Sequence, residues 1–107
     1  MPGGNSGDDI RMKVFEKTEN IVSRRIAGEL FLVPISGDIA NMQRIFTLTP
    51  VAEFIWEKLD GRMNLNDIRR DVLDRFDVPE KQAELDISEF VTELLKEGLA
   101  REAAVRQ

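Results

Sequence analysis

Asp86, Glu89, Glu93 and Glu97 follow one another at intervals of three or four residues in the last third of the chain. On an α-helix that spacing lines all four carboxylates along one stripe. Carboxylates can do general acid–base work or hold a cation, but either task needs more than a stripe. Acid–base catalysis needs two groups tuned apart on either side of a substrate, and nothing in the spacing singles out such a pair. A calcium loop alternates its acids around a glycine, and no D-x-D-x-D-G run occurs. The chain has no His and no Cys. That removes imidazole bases, thiolate nucleophiles, disulfides and Cys/His zinc sites. Neither G-x-x-x-x-G-K-[ST] nor G-x-G-x-x-G is present, so no phosphate loop is indicated. The expectation is a protein without catalytic residues, metal or cofactor, whose chemistry is recognition.

Two other groups invite a functional reading. Arg69, Arg70 and Arg75 are interleaved with Asp67, Asp71 and Asp74, a mixture that suits surface pairs three and four residues apart better than a phosphate cradle. Trp56 is the single tryptophan, and a lone Trp on a helix face belongs more often to the core than to a ligand site.

The bulk numbers narrow the class. A chain of 107 residues makes one domain with a modest core. Net charge is −5 and unevenly spread. Pro50 to Glu97 carries 13 acidic and 7 basic residues, whereas Asn20 to Thr49 carries 2 acidic and 3 basic. An acidic helical half argues against nucleic acid, which needs a basic footprint. There is no run of about 18 apolar residues and no apolar stretch of signal-peptide type at the start. The expectation is a cytoplasmic protein away from the membrane, a monomer or weak homodimer.

The elements that must position these residues change character at Thr49. Residues 1–19, rich in Gly, Asp and Lys, read as a largely disordered segment. Met12, Val14 and Phe15 offer only a weak strand signal. Ile21 to Ile26, Leu30 to Ile35 and Met42 to Leu48 read as three strands, with turns at Gly28 and at Ser36-Gly37-Asp38. In the third, Met42, Arg44, Phe46 and Leu48 share one face and Gln43, Ile45 and Thr47 the other. Tight links favour an antiparallel meander. Thr49-Pro50 then opens a helix, the hydroxyl as cap and Pro50 at the first position. Val51, Ile55 and Leu59 form its stripe, widened by Ala52 and Trp56, and Gly61 is expected to end it in a left-handed cap. Asn64 caps a second helix, with Met63 placed to staple onto Ile68; Leu65, Ile68, Val72, Leu73 and Phe76 recur along it. Asp77-Val78-Pro79 breaks it. A third helix spans Glu80 to Glu97, with Ala83, Ile87, Phe90, Val91 and Leu94 on its apolar face and Gly98-Leu99 as its stop. Residues 100–107 read as a frayed tail. The fold class is α+β and winged-helix-like, a three-stranded antiparallel sheet followed by a three-helix bundle.

In a three-strand meander both outer strands are edges, and edges invite a further strand unless guarded. The first carries Arg24 and Arg25; the third carries only Arg44 among Met42, Gln43, Ile45, Phe46 and Thr47. The third is the less guarded, although the N-terminal segment could cover it. The acidic stripe of the third helix is commonly no more than a solvated face. The sharper reading makes Asp86, Glu93 and Glu97, which flank Phe90, the rim of a groove beside the third strand. Such a groove would accept an extended peptide by strand addition, and its acidic rim would favour a basic residue in that peptide.

The order of these pieces resembles the PqqD family. The likeness is carried by Leu48-Thr49-Pro50-Val51-Ala52 with Ile55-Trp56 and Leu59-Asp60-Gly61, by Ile68, Val72, Leu73 and Phe76-Asp77, and by Leu85-Asp86-Ile87 with Phe90-Val91, Leu94-Leu95 and Gly98-Leu99. It covers residues 20–99. One departure is Thr49, where many members carry Asn; both residues cap helices. The resemblance implies a non-catalytic peptide chaperone, similar to winged-helix domains. It would bind the leader of a ribosomally made precursor peptide as an added strand and present it to a modifying enzyme, often a radical-SAM protein. Carried over, the peptide site comprises Gln43, Arg44, Ile45, Phe46 and Thr47 on the strand with Asp86, Phe90 and Glu93 on the helix. The alternatives are a winged-helix DNA-binding or regulatory domain, disfavoured by six acidic against two basic residues from Glu80 to Glu97, or a scaffold subunit that binds only a partner protein.

Overall fold

The computed structural model describes residues 10–19, 21–34 and 45–103. The elements run β1 (Val14–Lys17), β2 (Ile21–Ile26), β3 (Glu29–Pro34), β4 (Phe46–Leu48), α1 (Pro50–Lys58), β5 (Asp60–Asn64), α2 (Leu65–Arg75), α3 (Glu80–Lys96) and β6 (Ala100–Glu102), preceded by a 3-10 turn at Ile10–Met12. The mixture of strand and helix agrees with the α+β expectation, and the strands form two antiparallel three-stranded sheets.

The first sheet is the meander β2-β3-β4. Ile26 pairs with Glu29 across a two-residue turn in which Ala27 and Gly28 both have positive φ, a type I′ geometry that matches the twist of the strands it joins. β4 pairs with β3 through Leu30↔Leu48, Phe31↔Thr47 and Leu32↔Phe46. Burial alternates along β4 as the period of two requires: Phe46 and Leu48 are buried and Thr47 is exposed.

The second sheet, β5-β1-β6, corrects three expectations. Residues 10–17 belong to the fold, with Phe15 only 2% exposed in the core, so the segment 1–19 is not disordered throughout. Ala100–Glu102 form β6, paired to β1 through Phe15↔Glu102, Glu16↔Arg101 and Lys17↔Ala100, so these residues are not a frayed tail. Gly61 does not cap α1. That helix ends at Lys58 with Leu59 as its cap, and Gly61, at φ +83, lies inside β5. The β1–β5 register slips there, from Val14↔Asn64 to Glu16↔Asp60, and a bulge of this kind uses a residue free to take positive φ.

The helix termini follow their local chemistry. The Thr49 hydroxyl accepts from the Ala52 N–H at 3.1 Å, and the Asn64 side chain accepts from the Asp67 N–H at 2.8 Å. α3 closes with a complete Schellman pair. The Leu99 N–H donates to Leu94 O at 2.9 Å and the Gly98 N–H to Leu95 O at 3.2 Å, while Leu99 is buried beneath the turn.

All three helices contact one another, and α1 also contacts β4. Ile55, Ile68, Val72, Val91 and Leu94 are fully buried between them, with Leu32 from β3. Trp56 is in the core, as its solitary position suggested. The Lys17 ammonium lies over its ring, 5.2 Å from the centroid.

Candidate functional site

β4 stands at the end of its sheet order, with β3 on one side. Residues 10–17, which could have covered its other edge, are committed to the second sheet, and no described strand pairs there. The chain leaves β4 through Thr49 directly into α1, so the first turns of α1 form a floor next to the strand. α3 contacts α1 and closes the far side.

Between them runs a groove of about 360 Å³. Phe46, Thr47 and Leu48 contribute from β4, and Thr49, Val51, Ala52 and Ile55 from the start of α1. The wall is one face of α3, formed by Asp86, Glu89, Phe90 and Glu93. These four are related by three, four and seven residues, the set that shares a helix face. The floor is apolar and the wall acidic around one half-buried aromatic ring. Asp86 is held in place by Gln82, whose side-chain amide donates to it at 2.8 Å.

Of the residues expected at the site, Phe46, Thr47, Asp86, Phe90 and Glu93 line this one groove. Ile45 directly precedes β4 and is 59% exposed; it does not line the groove. Gln43 and Arg44 lie outside the described residues, as does the turn at Ser36-Gly37-Asp38. Sequence reasoning missed Glu89 as a wall residue and Val51, Ala52 and Ile55 as the floor. Glu89 was visible in the helical stripe. The α1 residues belong to the apolar stripe of that helix, and Ile55 is fully buried.

The α2 arginines are occupied elsewhere. Arg70 pairs with Asp67 at 2.6 Å, and Arg69 reaches Glu80 on α3 at 2.6 Å. Arg75 stacks over the Phe54 ring at 5.5 Å. A larger depression, about 410 Å³, lies between α2, α3 and the 3-10 turn, bounded by Ile10, Leu65, Arg69 and Leu85 among others. No strand residue lines it, so it offers no main-chain ladder to an extended ligand. Among the described residues no cluster of acids is arranged to hold a metal ion, and no helix is long and apolar enough to cross a membrane.

A sheet edge beside a helix face, floored with apolar side chains, is the geometry of a docking groove. The family model of PqqD, described as coenzyme PQQ synthesis protein D, matches residues 29–100. The match spans well over half of the chain, and the chain belongs to the PqqD family. The fold is similar to the solved structure of TbiB1 in complex with the TbiA(beta) leader peptide, with a TM-score of 0.65 and 21% identity over 84% of this chain and 99% of that one. No curated protein matches the chain.

Proposed function

We propose that this protein binds the leader segment of a ribosomally made precursor peptide in the β4–α3 groove, by strand addition, and hands it to a modifying enzyme. The observation that carries the reading is the juxtaposition of a sheet-terminal strand with an apolar groove in a chain of the PqqD family. A peptide laid along β4 gains main-chain hydrogen bonds from the strand and side-chain contacts from α3. Similarity in fold to a protein solved with a leader peptide supports the same reading. The protein's part is to hold and present, and the chemistry is the partner's. A radical-SAM maturase is the partner class that the family implies, and the peptide-binding residues are Gln43 to Thr47 with Asp86, Phe90 and Glu93.

The DNA-binding alternative fails on charge. A wall of Asp86, Glu89 and Glu93 against phosphates is repulsive, whereas nucleic-acid affinity depends on neutralising them. The test is amide hydrogen exchange with and without the leader of the precursor peptide encoded beside this gene. Slowed exchange across Phe46–Leu48 is expected. Protection restricted to β2 or α2 would place the ligand elsewhere.

A further inference from the structure

We infer that the groove selects an extended segment carrying an apolar side chain and a lysine or arginine two residues apart, both turned toward α3. The inference rests on the strand-addition reading above and adds to it the chemistry of the ligand.

Three observations carry it. The first is the sign of the lining. Asp86, Glu89 and Glu93 form the wall, and among the described residues neither lysine nor arginine lines the groove. The charge continues past it. An adjoining depression of about 320 Å³ shares Thr47, Leu48 and Thr49 with the groove and is bounded by Glu29 and Glu53. Glu53 is held by Arg25 from the β2 edge, which leaves Glu29 as the acid there. The basic residues of α3 are Lys81 and Lys96, near its two ends, and Lys81 lines the depression on the other side of the helix. Among the described residues, an acidic ligand would therefore meet like charge along the α3 wall, within a screening length of roughly 8 Å.

The second is the apolar component. Val51 and Phe90, both half-buried, present carbon to the same groove above the buried Phe46, Leu48 and Ile55. A purely basic, fully solvated segment would leave that surface without a complement. The ligand must bring at least one apolar side chain.

The third is length. From Asp86 to Glu93 is seven residues, about 10.5 Å at 1.5 Å per helical residue. An extended strand rises about 3.3 Å per residue, so a ligand strand laid along this wall passes it with about three residues. Alternate side chains of an added strand point to opposite faces. Of three consecutive residues the first and third face α3 together, which leaves room for one apolar and one basic group. Their ion pairs are partly exposed, so the charge acts chiefly on selectivity and association rate.

The test uses a display library of random 12-residue peptides, selected in 0.15 M salt on the full chain and on the D86K/E89K variant. Binders are sorted by whether they slow exchange at Phe46–Leu48. On the unaltered chain, the groove-binding peptides should be enriched in Lys or Arg two positions from an apolar residue. A synthetic copy of one should bind about tenfold more weakly to the variant, and the variant should enrich Asp or Glu in that place. Folding of the variant is checked by Trp56 emission. If it does not fold, E89Q and D86N take its place, each expected to weaken binding about twofold. Groove-binding peptides without a basic preference, or basic ones indifferent to these substitutions, would overturn the charge assignment and leave strand addition standing. If no enriched peptide protects Phe46–Leu48, strand addition itself fails and this inference with it.

Discussion

Arg101 on β6 donates from Nε to the Glu16 carboxylate on β1 at 2.7 Å, directly across the Glu16↔Arg101 register pair. The same guanidinium reaches Glu19 at 3.3 Å. The two ends of the described chain are thus clasped side by side, and their pairing adds the third strand to the sheet that β1 forms with β5. The pair is open to solvent, its side chains 49% and 33% exposed, so it sets register more than stability. The stability of this sheet lies in Phe15 and Ala100 beneath it.

Phe15→Ala is accordingly expected to destabilise the protein by about 3–5 kcal/mol, the usual cost of emptying a buried phenylalanine site. Leu85→Ala, on a side chain 55% exposed, should change stability by no more than about 0.5 kcal/mol. Urea unfolding followed by Trp56 emission compares the two. Equal effects would mean that β1 is not part of the cooperative unit.

Gly61→Ala should cost more than Gly98→Ala. Both glycines have positive φ, so both substitutions carry the left-handed penalty of about 1–2 kcal/mol. A Cβ at Gly61 would also stand 3.1 Å from Glu16 Oε1, whereas one at Gly98 meets nothing within 4 Å. Thermal unfolding of the two variants measures the difference, and the reverse order would contradict the bulge described here.

These strands mark the boundary of what could be read from residues alone. The caps at Thr49, Asn64 and Gly98 were legible because a cap is a bond between near neighbours in the chain. The α3 stripe was legible because seventeen helical residues repeat their period several times. β1, β5 and β6 have four, five and three residues, too few to show a period of two. Their partners lie far along the chain, and β5, Asp-Gly-Arg-Met-Asn, holds no β-branched residue. The wall of the groove was visible as a helical face. Its floor was not, because Val51, Ala52 and Ile55 serve the core and the groove at once.

Lys17 gives the protein an alkaline pH dependence. Burial pushes its ammonium below the ordinary 10.5, with Asp60 and Glu57 opposing. Between the folded value and 10.5 the unfolded chain holds the proton more often than the folded one. Stability therefore rises with pH across that window. Lys17→Met should remove this part of the slope. Denaturant midpoints measured from pH 8 to 10.5 for both proteins would show it, and parallel curves would contradict it.

Ile45→Pro separates the edge from the fold. The register joins β4 to β3 from Phe46 onward, so Ile45 lies outside the paired residues, and an edge position tolerates proline. The melting temperature should move by only a few degrees while leader binding weakens. Unchanged binding, read by anisotropy of a labelled leader, would exclude a backbone contact at Ile45.

The most direct test of leader recognition at β4 is an NMR titration of the isotope-labelled protein with the leader of the precursor encoded beside its gene. The account predicts saturable amide shifts at Ile45–Thr47 and Asp86–Glu93, with intermolecular contacts between the peptide and Phe90. Shifts confined to β2 or to Arg69, Arg70 and Arg75, with β4 and the Asp86–Glu93 face silent, would contradict it.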